Sequence, residues 1–186
     1  RTPMKRLSLL SLISLGMACS CNNAEAAETL CIGPLGTSVF KKIRVPANAV
    51  CGLNGTTVTG SITVLRGAIL RVRRAQIKGD IEADGASRVD IADSVIKGDI
   101  ELKNGRGARI MNNVIRGNVE LEYNRGPLLV SGNRIGEDIT ARENVGGLHI
   151  TNNTVDDDLK CSNNRPVPNG HGNIVRGSRK GQCGNF

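Results

Sequence analysis

The sequence predicts an all-β fold, a single-stranded parallel β-helix solenoid of about seven coils with 19–20 residues in each. Three observations predict it. A five-residue motif returns at near-constant spacing, aliphatic residues fall into columns at that spacing, and no stretch after residue 26 sustains a helical period.

The motif is Ile77-Lys78-Gly79-Asp80-Ile81, which returns as Ile96-Lys97-Gly98-Asp99-Ile100 and Ile115-Arg116-Gly117-Asn118-Val119. Weaker copies begin at Val58, Ile135 and Val155, with partial ones at Val39 and Val175. Successive starts are 19, 19, 19, 19, 20, 20 and 20 residues apart. A second column runs from Ile43 through Ile62, Ile81 and Ile100 to Leu159, and a third from Leu53 through Val72 and Ile91 to Ile150. Around them apolar and polar residues alternate, as in Val89-Asp90-Ile91, which is the period of a strand with one buried face. Short strands of this kind cannot bury that face alone, whereas coiling stacks like on like and closes a core. Aromatic residues make up only 2% of the chain, so the core must be aliphatic and narrow.

A fourth column reads Ala75, Ser94, Asn113, Asn133, Asn153. Stacked Asn amides can bond one another along a solenoid axis, so this column is expected to be structural. Turn chemistry follows the second apolar column, at Asp84-Gly85-Ala86, Asn104-Gly105-Arg106-Gly107, Asn124-Arg125-Gly126-Pro127 and Asn144-Val145-Gly146-Gly147. The lengthening from 19 to 20 falls in these turns, where strand register is undisturbed. The stretch from Arg165 to Gly172 breaks the pattern and reads as a longer loop.

Residues 1–26 are expected to be a secretory signal peptide starting at Met4, and residues 27–186 the β-helix domain. Met4-Lys5-Arg6 supplies a basic start, Leu7 to Met17 a short apolar run, and Ala24 and Ala26 the small residues of a cleavage site. That run is too short to cross a membrane and no other segment is long enough, so no transmembrane segment is expected. The chain is placed outside the cell, in the periplasm or at the cell surface, either free or anchored by a lipid on Cys19, which follows Gly16-Met17-Ala18. Four Cys follow the leader, and an even number in a secreted chain reads as disulfides. Cys31 with Cys51, and Cys161 with Cys183, bracket the two ends of the solenoid and are expected to pair.

These repeats resemble a group of small secreted bacterial proteins. The likeness rests on Val45-Pro46-Ala47 before Cys51-Gly52-Leu53-Asn54-Gly55, on the Gly-Asp/Asn-Ile/Val repeats, and on Cys161-Ser162-Asn163-Asn164 through to Gln182-Cys183. It implies a secreted setting and a fold, and no activity. A looser resemblance is to the right-handed β-helices of pectin-lyase type, which implies a right-handed coil. The Gly-Asp-Ile repeats are also similar to those of bactofilins, whose cytoplasmic setting disagrees with the leader and the cysteines. The nonapeptide of calcium β-rolls is absent from the sequence.

The net charge is +8, and without residues 1–26 there remain 22 basic and 16 acidic residues, a net +6. Such a balance favours an acidic partner, for which anionic extracellular or cell-surface polysaccharide is the expectation. Nucleic acid is not expected, because no aromatic residues interleave with the basic ones to stack bases. The candidate surface is a charged ladder of Lys78, Asp80, Glu82, Lys97, Asp99, Glu101, Arg116 and Glu120, with a corner expected at the motif glycine. Its bland reading is an outward charge row that keeps exposed strands soluble. Two functions remain. One is a non-catalytic scaffold, adhesin-like or carbohydrate-binding, with no catalytic residue, metal or cofactor. The other is a polysaccharide lyase or hydrolase of pectin-lyase type, with Asp80 and Asp99 holding calcium and Lys97 as base; carboxylates are suitable hard ligands. His149 reads as an outward strand residue and His171 as a loop residue; neither joins a nucleophile or metal motif.

Overall fold

A computed structural model describes residues 28–186. The expected leader, with Met4 and Cys19, lies outside the described residues.

Each coil makes three strands and three corners. One coil runs through Ile81–Asp84 on a sheet termed A, Arg88–Ala92 on sheet B and Val95–Ile96 on sheet C. Repetition builds parallel sheets of nine, eight and eight strands, with each strand paired to the equivalent strand one coil away. The coils number about eight, because Glu28–Leu30, Gly33–Leu35 and Val39–Phe40 form a first turn that does not display the motif. The described residues contain no helix, and so none long and apolar enough to cross a membrane.

The aliphatic columns are the core. On sheet A, Ile62, Ile81, Ile100 and Val119 are in register and fully buried. On sheet B, Val72, Ile91, Ile110 and Val130 do the same. Each such side chain contributes roughly 1.5–3 kcal/mol over exposure. Two expectations need correction. Val39 does not start the first column: it is 68% exposed, and Phe40 takes the place in register with Val58. The corner from Phe40 to Ile43 is one residue shorter than that from Val58 to Ile62, which shifts the register. The stretch after Arg165 is not an unpaired loop either. Asn169–His171 joins sheet B at the 20-residue pitch, with Asn169 opposite His149, so His171 ends a strand.

Corners are where the strand ladders stop, and buried backbone N–H groups there need other acceptors. Side chains supply them at all three. Between sheets B and C, Asn113 donates from both its backbone N and Nδ2 to Asn133 Oδ1 at 3.0 Å, and Asn133 does likewise to Asn153. This is the expected Asn column, continued to Asn173. A second Asn ladder, not foreseen, runs between sheets A and B through Asn124, Asn144 and Asn164, and Gln182 closes it by accepting from Asn164 N at 2.8 Å. In both series the residue before the ladder position takes a left-handed backbone, as at Asn112 (φ 56°) and Tyr123 (φ 56°). Cys31 is joined to Cys51 and Cys161 to Cys183, one bridge at each end.

Candidate functional site

The third corner, between sheets C and A, holds the charged ladder. Gly79 and Gly98 turn it, as expected for the motif glycine. A Cβ on Gly79 would lie 2.6 Å from the Gly60 carbonyl carbon, and one on Gly98 2.7 Å from that of Gly79. This corner separates the two signs of charge. Lys78, Lys97 and Arg116 lie exposed before it and form no ion pair among the described residues. Asp80 and Asp99 lie after it, and both carboxylates are engaged by the backbone. Asp80 Oδ1 accepts from Asp99 N at 2.9 Å, and Asp99 Oδ1 from Asn118 N at 2.6 Å. The series continues through Asp138 to Asp158 and ends on Ser178 N at 2.8 Å.

Glu82, Glu101 and Glu120 form an outward row on sheet A, in direct register. Lys103 reaches Glu101 at 2.9 Å and Glu120 at 3.8 Å. Among the described residues no three His, Cys, Asp or Glu converge as a metal-ligand set. Further along, Lys180 Nζ bonds Asp158 Oδ2 at 2.6 Å. That bond, with the Ser178 N–H, holds the Asp158 carboxyl well below the usual carboxylate range.

Sheet B carries a different face. Its strands Ile69–Arg73, Arg88–Ala92 and Gly107–Met111 hold four arginines and one aspartate, Asp90. Arg88 pairs with Asp90 at 2.7 Å; Arg71, Arg73 and Arg109 form no ion pair among the described residues. At the neighbouring A–B corner, Arg66, Arg106 and Arg125 are exposed and likewise unpaired. They line an open trough of about 1160 Å³ with Asn48, Asn104 and Pro127. A smaller hollow of about 420 Å³ adjoins it on sheet B, with Arg88, Arg109, Pro127, Leu129 and His149 around it.

The trough lies where the pitch changes. Gly105 precedes Ala108 by three residues, whereas its ladder partner Asn124 precedes Leu128 by four. The added residue widens the corner at Arg125-Gly126-Pro127. None of these arginines belonged to the expected site. The available signal was the Asn104-Gly105-Arg106-Gly107 turn, in which a charge sits between glycines that leave it uncovered. The chain matches no family model, no curated protein and no solved structure. What the structure shows is the architecture itself, a parallel β-solenoid of about eight turns.

Proposed function

We propose that the protein is a secreted, non-catalytic binding module whose rigid β-helix presents a cationic face to an anionic polysaccharide at the cell surface or outside the cell. The observation that carries this reading is the set of unpaired arginines around sheet B and the A–B corner, with Asp90 as the only acid in three successive strands. A surface arginine without a carboxylate partner keeps its donors free, and its planar fork suits carboxylate and sulfate groups. A solenoid repeats such donors at one coil rise, about 4.8 Å, or multiples of it, which suits a polymer with repeating charge.

The engagement of Asp80 and Asp99 as backbone acceptors favours a structural role for them over calcium binding. The test incubates the purified protein with polygalacturonate, alginate, a sulfated glycan and neutral dextran, with and without calcium. Titration calorimetry at two salt concentrations measures binding, and absorbance follows unsaturated ends. Saturable binding to the charged polymers, weakened by salt and without turnover, is expected. Failure to bind any of them would overturn the reading, as would calcium-dependent release of unsaturated ends lost in Lys97→Ala.

A further inference from the structure

At Gly107, sheet B has an outward position without a side chain. Ile69, Arg88 and Gly107 occupy the same place on successive strands, in register, and Pro127 precedes Leu128, which pairs with Ala108. The missing side chain at Gly107 opens the hollow between Arg88 and Pro127. Its floor is apolar, formed by Pro127 and the half-buried Leu129. Leu129 lies in register between Arg109 and His149, so a small apolar platform sits beside the unpaired Arg109. Pro127 also lines the arginine trough, which makes the hollow and the trough one continuous surface.

We infer that the Gly107 hollow is a subsite for a single acidic sugar unit of the bound polymer. This rests on the polysaccharide reading above. A pyranose ring has an apolar C–H face and polar edges, and here the apolar face would lie on Pro127 and Leu129. Its carboxylate or sulfate accepts hydrogen bonds from Arg109, and the chain continues across the corner to Arg106 and Arg125. The hollow's volume of about 420 Å³ suits one ring better than an extended segment. No Phe, Tyr or Trp lines it, so it offers nothing for a nucleic-acid base to stack on. The platform distinguishes this site from the bare basic row of Lys78, Lys97 and Arg116, which offers charge alone.

The test fills the hollow. Gly107→Ile installs the residue that Ile69 already places on the same row. Gly107 is outside the left-handed region, and a Cβ there meets only Pro127 O at 3.4 Å and Pro127 Cδ at 3.9 Å. The variant is therefore expected to fold, as checked by its melting temperature; Leu129→Ser is the second variant if it does not. Binding of oligogalacturonates and of sulfated oligosaccharides is measured for wild type, Gly107→Ile, Arg106→Glu and Lys97→Glu, with duplex DNA as a further probe. A tenfold or greater loss is expected in Gly107→Ile and Arg106→Glu, and none in Lys97→Glu. The preferred oligosaccharide shows whether carboxylate or sulfate is the natural group. If Arg106→Glu loses binding and Gly107→Ile keeps it, the polysaccharide reading stands and the subsite is overturned. Equal losses in Lys97→Glu and Gly107→Ile, or DNA binding as tight as that of the sugars, also overturn the subsite. A wild type that binds no polyanion overturns both.

Discussion

Asn133→Ala tests what holds the corners together. Asn133 is 2% exposed and makes four side-chain hydrogen bonds. Its Oδ1 accepts from Asn113 N and Asn113 Nδ2, both at 3.0 Å; its Nδ2 donates to Ile110 O at 2.8 Å and Asn153 Oδ1 at 2.9 Å. Truncation leaves the buried Asn113 N–H without that acceptor, at about 1–3 kcal/mol, and removes three further bonds with a net worth of about 1 kcal/mol each. Partial relaxation brings the expected loss to about 3–5 kcal/mol, or roughly 8–16 °C in melting temperature for a domain of this size. Serine should cost about half as much, since it keeps an acceptor. Ser94 already does this in the ladder, accepting from Ala75 N at 3.0 Å and donating to Ala92 O at 2.7 Å. Thermal unfolding followed by circular dichroism reads both variants. Melting of both within about 2 °C of wild type would refute the view that the ladder is a main source of corner stability.

Ile100 is fully buried and Glu101 points outward, so Ile100→Asp should be severely destabilising while Glu101→Ala shifts stability by no more than about 0.5 kcal/mol; equal melting shifts would overturn the register. Removing either disulfide, with sequence separations of 20 and 22, should cost about 3 kcal/mol in the chain-entropy model. The Cys161/Cys183 double serine variant should lose more, because Gln182, which closes the Asn ladder, is anchored next to Cys183; a smaller loss than for Cys31/Cys51 would argue against that anchoring. The depressed carboxyl of Asp158 stabilises the fold above its unfolded pKa of about 3.9, and this contribution fades as pH falls below that value. Asp158→Asn should therefore melt below wild type at neutral pH, with the gap closing in acid, and a gap that widens in acid would contradict the assignment.

The core was legible in the sequence because one chemical property fills each column. From Ile43 to Leu159 every coil places an aliphatic in the column where Ile81, Ile100 and Val119 stack, and the end coils alone put Thr29 and Arg179 there, so the period stands out without any alignment. Register failed where that uniformity failed. Val39 and Phe40 are adjacent and both apolar, and a corner shortened by one residue made the wrong one look periodic. The second Asn ladder was hidden by a similar coincidence. Asn104 looks like the partner of Asn124, yet it takes the left-handed place (φ 54°), as Tyr123 does, and Gly105 N donates to Asn124 Oδ1 at 2.9 Å. Of the arginine face only the Asn104-Gly105-Arg106-Gly107 turn was legible. Arg106 and Arg125 are 19 residues apart, one repeat, but Arg66, Arg88 and Arg109 fall at other spacings, and only the coil pitch and the corner geometry bring them to one side.

The two faces differ in how their charges are paired. Glu82, Glu101 and Glu120 are neighbours on sheet A, about 4.8 Å apart along the axis, an arrangement that costs energy through like-charge contact. Lys103 offsets it, reaching Glu101 at 2.9 Å and Glu120 at 3.8 Å, and one coil on Arg142 pairs with Glu122 at 2.8 Å. On sheet B, of Arg71, Arg73, Arg88 and Arg109 only Arg88 has a carboxylate partner, Asp90. Under the proposed function a polyanion would therefore compete with carboxylates already in place for the cations of sheet A, whereas Arg71, Arg73 and Arg109 of sheet B offer it donors that no carboxylate holds.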